Sequence, residues 1–144
     1  MNPFRSLRDY EEFVYTVRQI FPSVKNSTLV VVPRGRRTAV LRGQLVFGHG
    51  HRLTARERLS SDCDTVVIES YGYEIWHGSD KAAWYDSQPH PNDHALQSSH
   101  PHHKHVPPNI KHNRIPAPHL SFAQPNLPVL IEEIEALVRN EKPA

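Results

Sequence analysis

One cysteine, Cys63, stands among the 144 residues. It cannot close an internal disulfide, so a secreted, disulfide-stapled scaffold is excluded. Long apolar runs are missing as well. The opening MNPFRSLRDYEEF has none, so no signal peptide is expected, and no stretch approaches membrane-spanning length. A soluble cytoplasmic protein with no membrane contact is expected. There is no Walker loop, no GxGxxG, no CxxC pair and no internal repeat. Apolar residues are scarce at 38%, and the 13 prolines explain part of that deficit. The length still suffices for one ordinary domain, 1–144, with a core of its own.

Net charge is only +2, but it is unevenly placed. Residues 1–60 carry eleven Lys/Arg against four Asp/Glu, and residues 61–144 carry six against eleven. A basic first half permits a polyanionic ligand on one face; a solvated, arginine-rich sheet face is the plainer alternative.

Hydrophobic spacing predicts a helix over 6–21, capped by Ser6, with Leu7, Tyr10, Phe13, Val14, Val17, Ile20 and Phe21 on one stripe and Pro22 closing it. The period then changes to two. Segments 27–34, 38–47, 51–60, 65–78 and 81–88 read as closely spaced strands, with turns near Gly35, Gly48–Gly50, Ser61–Asp64 and Gly78–Asp80. The expectation is an antiparallel meander of about five strands over 27–88. A second helix over 127–140 has its own stripe of Leu127, Leu130, Ile131, Ile134, Leu137 and Val138. Asn126 can cap it, and Glu132, Glu133 and Glu135 should face out. The fold class is α+β.

Glu57 breaks the alternation, since it shares a face with Leu53 and Leu59, and Glu69 raises the same question beside Val67 and Tyr71. A carboxylate on an apolar face is costly unless paired. A structural ion pair competes there with a functional group.

Between them, 89–126 is a Pro/His-rich loop. Nine of the 13 prolines lie between Pro89 and Pro128, and eight of the 11 histidines between His90 and His119. Tethered at both ends, the loop is expected to be ordered and to fold back over the sheet. Three readings compete for its HPHHKH core. Alternation in an extended segment lets His103 and His105 converge, with Asp86 or His90 completing a metal site. Alternatively, two histidines share acid–base work in phosphodiester cleavage without metal, Lys104 and strand arginines hold the phosphate, and tyrosines stack on bases. The loop is otherwise a rigid, soluble scaffold. The metal-free route is preferred to the metal site, and no cofactor is expected, because cysteine ligands are missing and nearby carboxylates are few.

The elements YGYEIW, WYDSQPH and HPHHKH together resemble the TumE family, bacterial and archaeal toxins of toxin–antitoxin pairs. The matching positions are Tyr71 and Tyr73; Tyr85, Asp86, Pro89 and His90; and Pro101, His102, His103, Lys104 and His105. Arg56 and Glu57 resemble the family's R-E pair in the preceding strand. The insert PNIKHNRIPAPHLSFAQPN before the last helix is longer than the pattern. The resemblance implies a toxin with a cognate antitoxin. The residues then suggest a metal-independent ribonuclease. His90, His102, His103 and His105 supply acid and base, and Asp86 orients an imidazole. Arg56, Arg58, Lys104, Tyr71, Tyr73 and Tyr85 contact RNA. The antitoxin is expected to be a small helix-turn-helix DNA-binding protein. The alternatives are a non-catalytic interaction module and a metal-dependent nuclease or other hydrolase using the histidine cluster.

Overall fold

The computed structural model describes residues 2–62 and 65–141. It is α+β, with helices packed on one face of an antiparallel sheet. The first helical segment is shorter than its hydrophobic stripe. Ser6 caps α1 (Leu7–Tyr15) by accepting from the Asp9 N–H at 3.0 Å. The helix then breaks at Thr16, whose hydroxyl donates back to the Glu12 carbonyl at 2.7 Å. A single turn, α2 (Val17–Ile20), follows.

Among the described residues the sheet has eight strands rather than about five. They are β1 (Asn26–Ser27), β2 (Val30–Pro33), β3 (Thr38–Val46), β4 (His51–Asp62), β5 (Thr65–His77), β6 (Asp80–Asp86), β7 (His103–His105) and β8 (Arg114–Pro116). The order is β1-β3-β4-β5-β6-β7-β8, with β2 also on β3. The meander from β3 to β6 is as the alternation requires. The turn expected at Ser61–Asp64 falls partly on Cys63 and Asp64, which lie outside the described residues.

Three strands were added by physics that local spacing does not carry. The expected strand 27–34 is split into β1 and β2 opposite Gly43. A Cβ there would fall 2.5 Å from the Thr28 carbonyl oxygen, so only glycine admits this approach. The other two extra strands, β7 and β8, lie within the Pro/His-rich segment. That segment continues the sheet instead of lying over it. Its last part then returns to β5, where the Ile68 N–H donates to the Phe122 carbonyl at 2.8 Å.

α3 (Leu127–Glu141) docks through Leu127, Leu130, Ile131 and Ile134. Two readings at this helix change. Asn126 is fully buried, and its side chain turns back to Ser121 and the Tyr73 hydroxyl. Glu133 faces the sheet, where it meets Tyr85 and Lys104.

The anomaly at Glu57 is real and is not an ion pair. Its fully buried carboxylate accepts from the Tyr10 hydroxyl at 2.5 Å and from the Tyr73 hydroxyl. Burial pushes its pKa up to about 7, although both hydrogen bonds pull it down. Glu69, by contrast, is exposed. The pairing shifts between Arg58 and Leu59, so Ile68 pairs with Leu59 and Ser70 with Arg58. This bulge lets Ile68 and Tyr71 both face the core while Glu69 turns out.

Candidate active site

The opposite face of the sheet is built from residues that pair across strands, and paired residues project on the same side. One row runs Arg42, Arg56, Gly72, Asp86, His103. The next runs Thr54, Glu74, Trp84, His105, Arg114. Gly72 therefore separates Arg56 from Asp86, and a Cβ built on it meets nothing within 4 Å. The gap is part of a groove of about 700 Å3 whose walls include Arg56, Arg58, Trp84, Asp86 and Phe122.

At one side of the groove three groups converge. His103 Nε2 lies 3.0 Å from Asp86 Oδ1, His105 Nε2 lies 3.3 Å from Asp86 Oδ2, and the two Nε2 atoms are 3.1 Å apart. The other ring nitrogens are tied to backbone. His103 Nδ1 is 3.0 Å from the Pro101 carbonyl, and His105 Nδ1 is 2.8 Å from the Ile110 carbonyl. A carbonyl only accepts, so each Nδ1 carries its proton. Both Nε2 atoms are thus left facing the carboxylate and each other. The imidazoles are 1% and 3% exposed, so their Nε2 edges are turned inward rather than to solvent.

Their electrostatics differ. Burial alone pulls His103 down, but its hydrogen bonds to Asp86 and Pro101 hold it above its ordinary value. Burial wins at His105, which is lowered. Burial also works against the Asp86 carboxylate, yet His103, the Gln88 N–H and His105 together keep it below its ordinary range. Trp84 stacks on His105 with ring centres 4.2 Å apart, and the His90 ring meets His103 edge-on at 4.9 Å. His90 is half-exposed, and burial followed by the charges of Arg114 and His103 lowers it.

The remaining candidates are not part of this imidazole–carboxylate group, although Tyr71 and Phe122, which hold His102, line the groove. His102 alternates away from His103. Its Nδ1 is 2.6 Å from the Tyr71 hydroxyl and its ring lies against Phe122 at 4.6 Å. Burial, then His103 and His100, lower it. Lys104 is on the helix-covered face, with Nζ 2.9 Å from Glu133 Oε2 and over the Tyr85 ring. Tyr73 is fully buried beside Glu57, and Tyr85 donates to Glu133. The structure thus brings Arg56, Arg58, Asp86, His103 and His105 to one face, with His90 against the histidines. It places Lys104, Tyr73 and Tyr85 on the other.

Sequence reasoning passed over Trp84 and Gly72. Both left a signal: Trp84 is two residues before Asp86 and so shares its face, and an isolated glycine inside a strand marks a bulge or a close approach. Arg114 left none, because its strand follows a long irregular segment.

A family model described as Toxin TumE matches residues 13–138. No curated protein and no solved structure matches the chain.

Proposed function

The chain belongs to the TumE toxin family and is the toxin component of a toxin–antitoxin system, and on that premise we propose that it acts by cleaving RNA in the groove over Gly72. The observation that carries this reading is the register Arg56–Gly72–Asp86. It sets a cationic wall and an imidazole–carboxylate centre on either side of a gap one glycine wide. Arg56 and Arg58 hold the phosphate and offset the charge that develops on it. Trp84 and Phe122 offer apolar ring faces on which bases stack.

Attack by the neighbouring 2′-hydroxyl on phosphorus breaks the bond to the 5′-oxygen. One product carries a 2′,3′-cyclic phosphate and the other a 5′-hydroxyl. The hydroxyl proton leaves to a base, and the departing oxygen takes a proton from an acid. If these are free imidazoles, the task falls to the half-exposed His90 and His102, because His103 and His105 turn their Nε2 atoms onto Asp86.

Family membership implies an antitoxin partner. We take it to be a small helix-turn-helix DNA-binding protein that covers this groove in the cytoplasm. No described helix is long and apolar enough to cross a membrane.

The test is expression of the chain alone, with growth and total RNA followed together. New RNA ends bearing cyclic phosphate are expected, and Arg56→Ala with Arg58→Ala should suppress them. That double variant should also flatten the salt dependence of RNA binding, by about 0.7 per arginine in the log–log slope for single strands. Growth arrest with intact RNA would sink the ribonuclease reading.

A further inference from the structure

We propose that Asp86, His103 and His105 bind a divalent first-row transition-metal ion, of the class of zinc or manganese. This deepens the reading of the groove above, but it is an independent claim about binding and can be tested without RNA.

The case is one of lone pairs. Two imidazoles with protonated Nδ1 atoms aim their Nε2 atoms at one carboxylate; the imidazoles are nearly withdrawn from solvent, and the Asp86 side chain is 16% exposed. Two nitrogen lone pairs 3.1 Å apart repel unless a proton or a cation stands between them. Zinc–nitrogen and zinc–carboxylate bonds run to roughly 2.0–2.2 Å, which places neighbouring ligand atoms about 3.0–3.5 Å apart. Here the two Nε2 atoms are 3.1 Å apart and lie 3.0 and 3.3 Å from different oxygens of Asp86, and one ligand atom from each of the three residues lies within 4.8 Å of the others.

The surroundings fit as well. Backbone carbonyls of Pro101 and Ile110 fix the tautomer of each histidine and aim its ring, which is the usual support for a metal-ligating imidazole. Two nitrogens and a carboxylate suit zinc, manganese, iron or nickel, whereas calcium and magnesium prefer oxygen alone. Three protein ligands leave further coordination positions. Asp86 lines the groove, so those positions open toward it.

A second histidine–carboxylate group provides the contrast. His51 and His77 stack face to face at 4.3 Å and an interplanar angle of 8°, each within 3.6 Å of Glu141. Their lone pairs run side by side rather than toward one point, so this group serves as the control.

The full chain, purified without metal resin and stripped with chelator, is titrated with zinc sulfate and, separately, with manganese chloride, by calorimetry. At least one of the two should bind with one equivalent that resists His51→Ala and His77→Ala. Asp86→Asn, His103→Gln and His105→Gln should each weaken it by a hundredfold or more. If those variants fail to fold, cobalt added to the unaltered chain gives a second reading, through visible bands of an imidazole-ligated ion. Absence of stoichiometric binding, or binding lost in the His51 or His77 variant and kept in the Asp86 variant, overturns the proposal. Metal bound without RNA cleavage would sink the ribonuclease reading alone. Cleavage by a chain that binds no metal would sink this one alone.

Discussion

The two faces of the sheet each carry a carboxylate held by two partners of one kind, and the partners decide what it is for. On the inner face Glu57 meets two tyrosines, and on the outer face Asp86 meets two histidines. Tyrosine hydroxyls donate, so the Glu57 oxygens are satisfied and the group closes on itself. The histidines spend their Nδ1 protons on backbone carbonyls and turn acceptors toward Asp86. That group is incomplete without a proton or a cation. The inner group also has no access, whereas the outer one adjoins a groove with arginines on its far wall. Inner burial produces structure, and outer burial produces an organised site.

The strongest contrast should come from amide replacements of the two acids. Asp86→Asn should reduce RNA cleavage by roughly 10–100-fold, the span usual for a partner that fixes the imidazoles of a site, and should leave the melting temperature close to the parent's. A variant with full growth inhibition would break the distinction between the faces.

Glu57→Gln should do the reverse, leaving cleavage per folded molecule intact and changing how stability depends on pH. Folded Glu57 holds its proton up to about pH 7, while its ordinary value is 4.5. Between those values the folded state binds the extra proton, so stability falls as pH rises through the window. The loss amounts to about 3 kcal/mol at one pKa unit per ~1.4 kcal/mol. Denaturant titrations at pH 4.5 and 7.5 should show it in the parent, and the glutamine variant should lack this component.

Lys104 sharpens the comparison with a smaller effect. It stands between His103 and His105 in sequence but on the other face, paired with Glu133. Lys104→Met should leave cleavage unchanged. It should cost at most about 1 kcal/mol, because the pair is partly exposed. A lost activity would place the lysine on the phosphate after all.

What the sequence disclosed and what it hid follow from the range of the forces involved. Helical stripes and period-two alternation are local, so α1, α3 and the β3–β6 meander could be read from spacing. The anomaly at Glu57 was visible because it broke that local pattern. The convergence of His103 and His105 was legible for the same reason, as was Asp86 as a candidate third group. Strands β7 and β8 were hidden: each is three residues long, too short to show a period, and they exist by pairing with β6 and with each other. The bulge at Glu69 is likewise a matter of pairing rather than composition. Missing cysteines argued against a metal. An imidazole–carboxylate set needs none, and its convergence depends on the β6–β7 register.

The most direct test of the groove is to fill it. Gly72 has open space where a side chain would stand, and it lies in a strand that favours β-branched residues. Gly72→Val should therefore fold at least as well as the parent, gaining up to about 1 kcal/mol from the lost freedom of the unfolded chain. It should also close the gap between Arg56 and Asp86. Growth inhibition and RNA ends measured beside a melting curve should show a stable protein that no longer cuts. A stable Gly72→Val protein with undiminished toxicity and the same RNA ends would contradict the assignment of this face as the active site.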